Sequence, residues 1–164
     1  MYYVKNMYAP TLNYKSCDTG IEELVCTQVV SVPTKSGGSV LHTMVMDHGH
    51  MVSQNIHKKA SAMKPYVAKG AGIDYCDEDS DYVFRTGYTD NDYLTASSAA
   101  VSTDGGNSFT DIGWQENNRI VDSAMSSQKQ SNGKPLLMIA SIGDESGNGA
   151  GIWRSKNYGA AWEK

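Results

Sequence analysis

Three features of the sequence predict an all-β chain folded as a β-propeller of about three blades, each of four antiparallel strands. The first is a succession of short Val-, Thr- and Ile-bearing segments separated by turn signals at intervals of roughly 8–12 residues; no helix-length pattern lies between them, which excludes a parallel βαβ architecture. The second is composition: 16 Gly and 10 Tyr among 164 residues suit strands and tight turns better than helices. The third is a repeat, because Ser102, Asp104, Gly106 and Phe109 recur in the same order and spacing as Ser155, Asn157, Gly159 and Trp162, 53 residues later. Four-stranded propeller blades repeat at roughly 40–50 residues.

The elements follow in chain order. "ELVCTQVVSVPT", Glu23 to Thr34, partly alternates and ends at Pro33 and a Lys35-Ser36-Gly37-Gly38 turn, so it reads as a strand. "SVLHTMVMD", Ser39 to Asp47, is its hairpin partner; alternation places Val40, His42, Met44 and Met46 on one face and Leu41, Thr43, Val45 and Asp47 on the other. Residues 48–70 hold no sustained period and are expected to be a long loop with a short helix around Ser61; the "NIHKKASAMK" portion reads as a solvated stretch. "GIDYCDED" and "DYVFRTGY" form two strands around an acidic turn, Asp77 to Asp81, and "TASSAAVSTD" leads into the first repeat motif. "NNRIVDSAMSS", a turn at Ser131-Asn132-Gly133, "KPLLMIASI", a Gly-rich turn over 143–151 and "GIWRSK" lead into the second. Three blades leave open sheet edges, since propellers close with typically 4–8 blades. Residues 1–164 are therefore expected to form a partial propeller domain, completed by further sequence or by another chain.

Bulk properties exclude some partners. The net charge is −4, from 14 basic and 18 acidic residues without a block of one sign, so there is no footprint for nucleic acid or an anionic membrane. Apolar runs such as "PLLMIASIG" are far shorter than the roughly 20 residues that span a bilayer. "MYYVKNMYAPTL" lacks the basic, apolar and small-residue regions of a signal peptide. The three cysteines, Cys17, Cys26 and Cys76, have no C-x-x-C spacing, leaving open three free thiols or a single bridge.

The two repeats resemble the Asp-box, Ser-x-Asp-x-Gly-x-Thr-Trp, of sialidases, sortilin-type receptors, photosystem assembly factors and glycosidase propellers. In that motif Asp and Ser side chains satisfy turn amides and the aromatic packs beneath, so both copies are expected to be structural. A longer stretch, "GIEELVCTQVVSVPTKSGGSVLHTMVMDHGHM", Gly20 to Met51, is similar to a segment of the second propeller of family 74 glycoside hydrolases, the xyloglucanases: a Gly-Ile-Glu-Glu start, a Val-Ser-Pro-Pro-like strand end, a Ser-Gly turn, a strand and Gly-Asp-x-Gly-Gly-Phe. "GIDYCDEDSDYVFRTGY" is similar to that family's Leu-Asp-Tyr-Ala and Val-Val-Arg-Val-Gly elements, which also lead to an Asp-box.

The resemblance implies an extracellular, inverting β-glucanase of two seven-bladed propellers, with xyloglucan or a related β-1,4-glucan between them and no cofactor. Asp47 matches the family's general acid, while the base belongs to the other propeller. Met46, His50 and Met51 stand where the family carries Gly, Gly and Phe. Inversion requires two carboxyl groups roughly 6.5–9.5 Å apart, one protonating the glycosidic oxygen and one activating water. His48 and His50 flank Asp47 as candidate substrate contacts, and as imidazoles they favour its ionised form. Tyr75 and Trp114 are the leading candidates for stacking on sugar, with Tyr88 and Tyr93 behind them. His48, His50 and His57 raise a metal alternative, because His-x-His on an extended strand places both rings on one face; a third ligand at defined spacing is missing, so no metal is expected. Two other functions remain open: a non-catalytic propeller of the sortilin type that binds protein or peptide, and a scaffold propeller completed by partner chains.

Overall fold

The computed structural model describes residues 2–16, 25–35, 39–88, 97–114, 118–143 and 146–164. The Gly-Ile-Glu-Glu start, the turn at 36–38, Cys17 and Tyr93 lie outside the described residues.

Two short strands, β1 (Tyr2–Val4) and β2 (Tyr14–Ser16), pair as a ribbon. The rest is a partial β-propeller of antiparallel sheets. The first sheet runs in order through β3 (Cys26–Pro33), β4 (Ser39–Val45), β5 (Gly49–Ser53) and β6 (Ser61–Ala62). The second runs through β7 (Lys69–Tyr75), β8 (Val83–Tyr88), β9 (Ser97–Ser102) and β10 (Thr110–Asp111). The third has β11 (Arg119–Lys129), β12 (Pro135–Ile142) and β13 (Gly151–Ser155), and an Arg154–Glu163 bridge begins a fourth strand. The first strands of the sheets lie side by side, with β7 touching both β3 and β11.

Residues 48–70, expected to be a loop with a helical turn, instead supply β5, β6 and the start of β7. Alternation was obscured by two features. Gly49 takes φ +62° to turn the chain into β5, and both faces of β5 are at least partly covered, so no clean apolar/polar alternation remains. Ser61 pairs with Val52 as an extended residue.

Each sheet buries one face against the next. Val32, Met44, Ile73 and Val83 fill the seam between the first and second sheets, with Phe109 packed on them. The second seam is larger: Phe84, Ala99, Val101, Ile120, Leu137 and Ile139 are buried there, ringed by Trp114, Trp153, Tyr158 and Trp162. Removing this apolar surface from water, at about 25 cal/mol per Å2, holds the blades together. Polar ties set their register. Gln28 Oε1 accepts from the Ile73 amide at 2.7 Å, and Asp74 Oδ2 accepts from the Met125 amide at 2.9 Å, so each first strand holds the backbone of the next. Cys26 is exposed and Cys76 buried, both as thiols.

Candidate functional site

The β4–β5 connection is a three-residue loop, Met46-Asp47-His48, closed by the Val45–Gly49 pair. A three-residue hairpin loop needs a left-handed residue after it, and Gly49 supplies one; a Cβ there would also lie 1.8 Å from the Val67 carbonyl oxygen. The Met46 amide donates to the Val25 carbonyl at 2.9 Å, anchoring the loop over the start of β3. Asp47 and His48 are both exposed on it.

Beside this loop a groove of about 460 Å3 opens between the first strands of the three sheets. Thr27, Gln28, Met46, Tyr88, Arg119 and Asp122 are among the residues lining it. It therefore presents amide, guanidinium and carboxylate groups, and Met46 is the residue through which the Asp47 loop reaches it. The Asp122 Oδ1 accepts from the Ser123 amide at 2.8 Å, which fixes that carboxylate on β11.

The other expected ligand contacts are placed differently. His50 is only 1% exposed, and its Nε2 lies 2.8 Å from Nδ1 of His42, itself 0% exposed. Contact with a saccharide is thus unavailable to His50, and it does not flank Asp47. Gly49 breaks the alternation that would align His48 with His50, leaving one ring in water and the other in the seam. Among the described residues no three His, Cys, Asp or Glu side chains gather as metal ligands. Tyr75 is half-buried against the first seam. Burial raises its hydroxyl pKa, with Asp77 and Asp74 adding to the effect. Trp114 is half-buried in the second seam, edge-on to Trp153 and Trp162, and its Nε1 donates to the Asn118 carbonyl at 3.2 Å.

The two repeat motifs close their hairpins with the same bonds. Ser102 Oγ accepts from the Gly106 amide at 2.9 Å and Asp104 Oδ1 from the Ser108 amide at 2.9 Å. Ser155 Oγ accepts from the Gly159 amide at 2.8 Å and Asn157 Oδ1 from the Ala161 amide at 2.8 Å. Burial raises the Asp104 pKa, but the bonds from Ser108, Ser102 and Asn107 outweigh it and hold the carboxyl below its ordinary value. Each motif's aromatic reaches back onto the preceding sheet: Phe109 meets His50 at a ring separation of 5.2 Å, and Trp162 meets Phe84 at 6.2 Å.

A third, degenerate copy lies in the first sheet. Ser53 and Asn55 stand at the same β5–β6 place, and Asn55 Oδ1 accepts from the His57 amide at 2.9 Å. The Ser-x-Asn signal is there, 49 residues before Ser102, but His57 replaces Gly and Ala60 replaces the aromatic.

No family profile matches the chain, and no curated protein matches it in sequence. Among solved structures, the GH74 xyloglucanase Xcc1752 of Xanthomonas campestris superposes with TM-score 0.65 at 18% identity, over 88% of this chain and 19% of that one. A protein of Bifidobacterium bifidum s17 assigned as an exo-β-1,3-galactanase is matched with TM-score 0.39 at 8% identity, over 80% of this chain and 49% of that one. The likeness to the xyloglucanase is one of fold, and the chain spans about a fifth of that protein's length. No helix among the described residues is long and apolar enough to cross a membrane.

Proposed function

We propose that this chain is part of an extracellular glycoside hydrolase that cleaves xyloglucan or a related β-1,4-glucan with inversion, Asp47 acting as general acid. The observation that supports this reading is Asp47 exposed on a three-residue loop whose first residue, Met46, lines the groove between the first strands. The fold shared with the GH74 xyloglucanase supports it. In this reading Asp47 protonates the glycosidic oxygen as the bond to the anomeric carbon breaks. A carboxylate from a second propeller removes a proton from the water that attacks the opposite face. In this reading substrate and second propeller enclose the loop and exclude bulk water from the reacting bond. Asp122 and Arg119 are placed to bond sugar hydroxyls, and the two repeat motifs are Asp-boxes that brace the blades.

The rest of the propeller covers the outer face of the third sheet. Ile142 and Ile152 are 53% and 60% exposed there, and Ile152 holds the register position at which His50 and Ala99 are buried in the other two sheets.

The test is hydrolysis of xyloglucan by the natural polypeptide that contains this chain, with the product anomer followed by proton NMR. Release of the α-anomer, lost in Asp47→Asn, supports the reading. Absence of hydrolysis across β-1,4-glucans would leave the non-catalytic, protein-binding propeller as the better one.

A further inference from the structure

The two seams are built on one register but differ in chemistry. The motif serines Ser53, Ser102 and Ser155 stand opposite Leu41, Val83 and Leu137, which makes His42 equivalent to Phe84 and His50 equivalent to Ala99. The same register makes Arg85 on β8 equivalent to Ile139 on β12. Where the second seam packs Phe84, Ala99 and Ile139, the first therefore buries two imidazoles and a guanidinium.

Arg85 is 1% exposed. Its Nη2 donates to the Pro65 carbonyl and its guanidinium carbon lies 5.0 Å from the centre of the Phe109 ring, but Nε and Nη1 are buried with no acceptor among the described residues. His42 Nε2 and His50 Nδ1 are also buried with no well-aligned hydrogen-bond partner among the described residues, the Gly105 backbone lying against His42. With both rings neutral, the shared bond between His42 Nδ1 and His50 Nε2 uses one N–H of the pair and leaves one outward, on either His50 Nδ1 or His42 Nε2. The seam thus holds a buried cation and spare donors from Arg85 and one imidazole. Among the described residues no carboxylate forms an ion pair with Arg85; Asp111, the acidic group that acts on it across space, is exposed and accepts from the Gly113 amide at 2.7 Å. Water would satisfy the donors, but it would leave the charge uncompensated in a medium of low polarity, where an unpaired ion is strongly disfavoured.

We propose that the first seam binds a small monovalent inorganic anion of halide size, held by Arg85 Nε and Nη1 and by the outward N–H of the His42–His50 pair. The site is separate from Asp47 and the groove, and does not depend on hydrolytic activity. Its ring-lined setting beside Phe109 favours weakly hydrated anions such as bromide over fluoride.

Crystals grown without halide and soaked in sodium bromide test this directly. The expected result is an anomalous bromide peak beside Arg85 in the first seam; an ordered water alone there, or bromide only on the outer surface, overturns the proposal. In solution, melting is followed in sodium chloride and in sodium gluconate at equal ionic strength. The wild type should show a saturable chloride-specific rise in melting temperature that Arg85→Met abolishes, whereas equal responses to both salts would sink the idea. If Arg85→Met does not fold, the wild-type salt pair and the bromide peak still decide.

Discussion

The Tyr158 hydroxyl donates to the carbonyl oxygen of Ser102 at 2.6 Å, joining the repeat motif of the third sheet to that of the second. A comparable link joins the first two copies, where Gln54 Nε2 lies 3.3 Å from Asn107 Oδ1. The hairpin ends are therefore bonded to one another across both seams, in addition to the packing of Phe109 and Trp162. Tyr158 holds φ 61°, uncommon for a non-glycine residue, and the bond helps to hold it there.

Tyr158→Phe should lower stability by about 0.5–1.5 kcal/mol, the net value of one such hydrogen bond. Urea unfolding checks the size of the loss. Burial, with Tyr82 and Cys76 adding to it, raises the Tyr158 pKa well above that of an ordinary tyrosine. In an alkaline absorbance titration of the folded protein, Tyr158 should ionise after the exposed tyrosines.

Asp104→Asn should cost less than Asp104→Ala. Asn157 already performs the same task in the third sheet through Oδ1, so an amide can accept from the Ser108 backbone. The expected penalties are roughly 0.5 kcal/mol for Asn and about 1–2 kcal/mol for Ala, by analogy with side-chain caps on backbone amides. Paired denaturation curves at pH 7 separate the two. Equal losses would mean that the charge of Asp104, rather than its acceptor geometry, closes the hairpin.

Acid should weaken the first seam through its histidines. Burial lowers the His42 pKa to about 4, Arg85 lowering it further and the Gly105 backbone opposing, and burial lowers His50 well below the ordinary value, with Arg85 and His42 adding to it. The folded state therefore disfavours proton uptake. This contribution is fully present above the unfolded-state value near 6.5 and is lost as pH falls from there toward 4. The double variant His42→Phe, His50→Ala reproduces the Phe84 and Ala99 pair of the second seam. It should flatten the dependence of the urea midpoint between pH 6.5 and 4.5, whereas an unchanged slope would place the acid sensitivity elsewhere.

Asp47→Ala should leave stability within about 0.5 kcal/mol of the wild type, because an exposed loop side chain contributes little to packing. Hydrolysis of xyloglucan by the complete protein should nevertheless fall by at least two orders of magnitude, on the scale of a lost general acid. Calorimetry and reducing-sugar release, measured on the same preparation, check both halves. A large stability loss would make Asp47 a structural residue of its loop.

Much of the fold was legible because strands and hairpin turns are local. The β3–β4 and β7–β8 hairpins follow from β-rich runs bounded by turn residues, and the Ser102 and Ser155 motifs follow from turn chemistry in which a side chain bonds amides two to four residues away. β5 and β6 were not legible, because β5 is at least partly covered on both faces, β6 is only two exposed residues, and the Gly49 turn hides their boundary. The third motif copy, at Ser53, was hidden by the loss of its glycine and its aromatic.

The candidate site divides in the same way. The sequence alone determined an all-β chain of propeller type, two turn motifs and an Asp at the tip of a strand, since each depends on residues adjacent in the chain. Only the tertiary structure decided that His48 faces solvent while His50 turns to His42, that Trp114 packs between Trp153 and Trp162, and that Arg85 is buried beside Phe109. Those outcomes depend on which sheet packs against which. The contact between His42 and Phe109 spans 67 residues, and no local pattern encodes a burial imposed by a neighbouring blade.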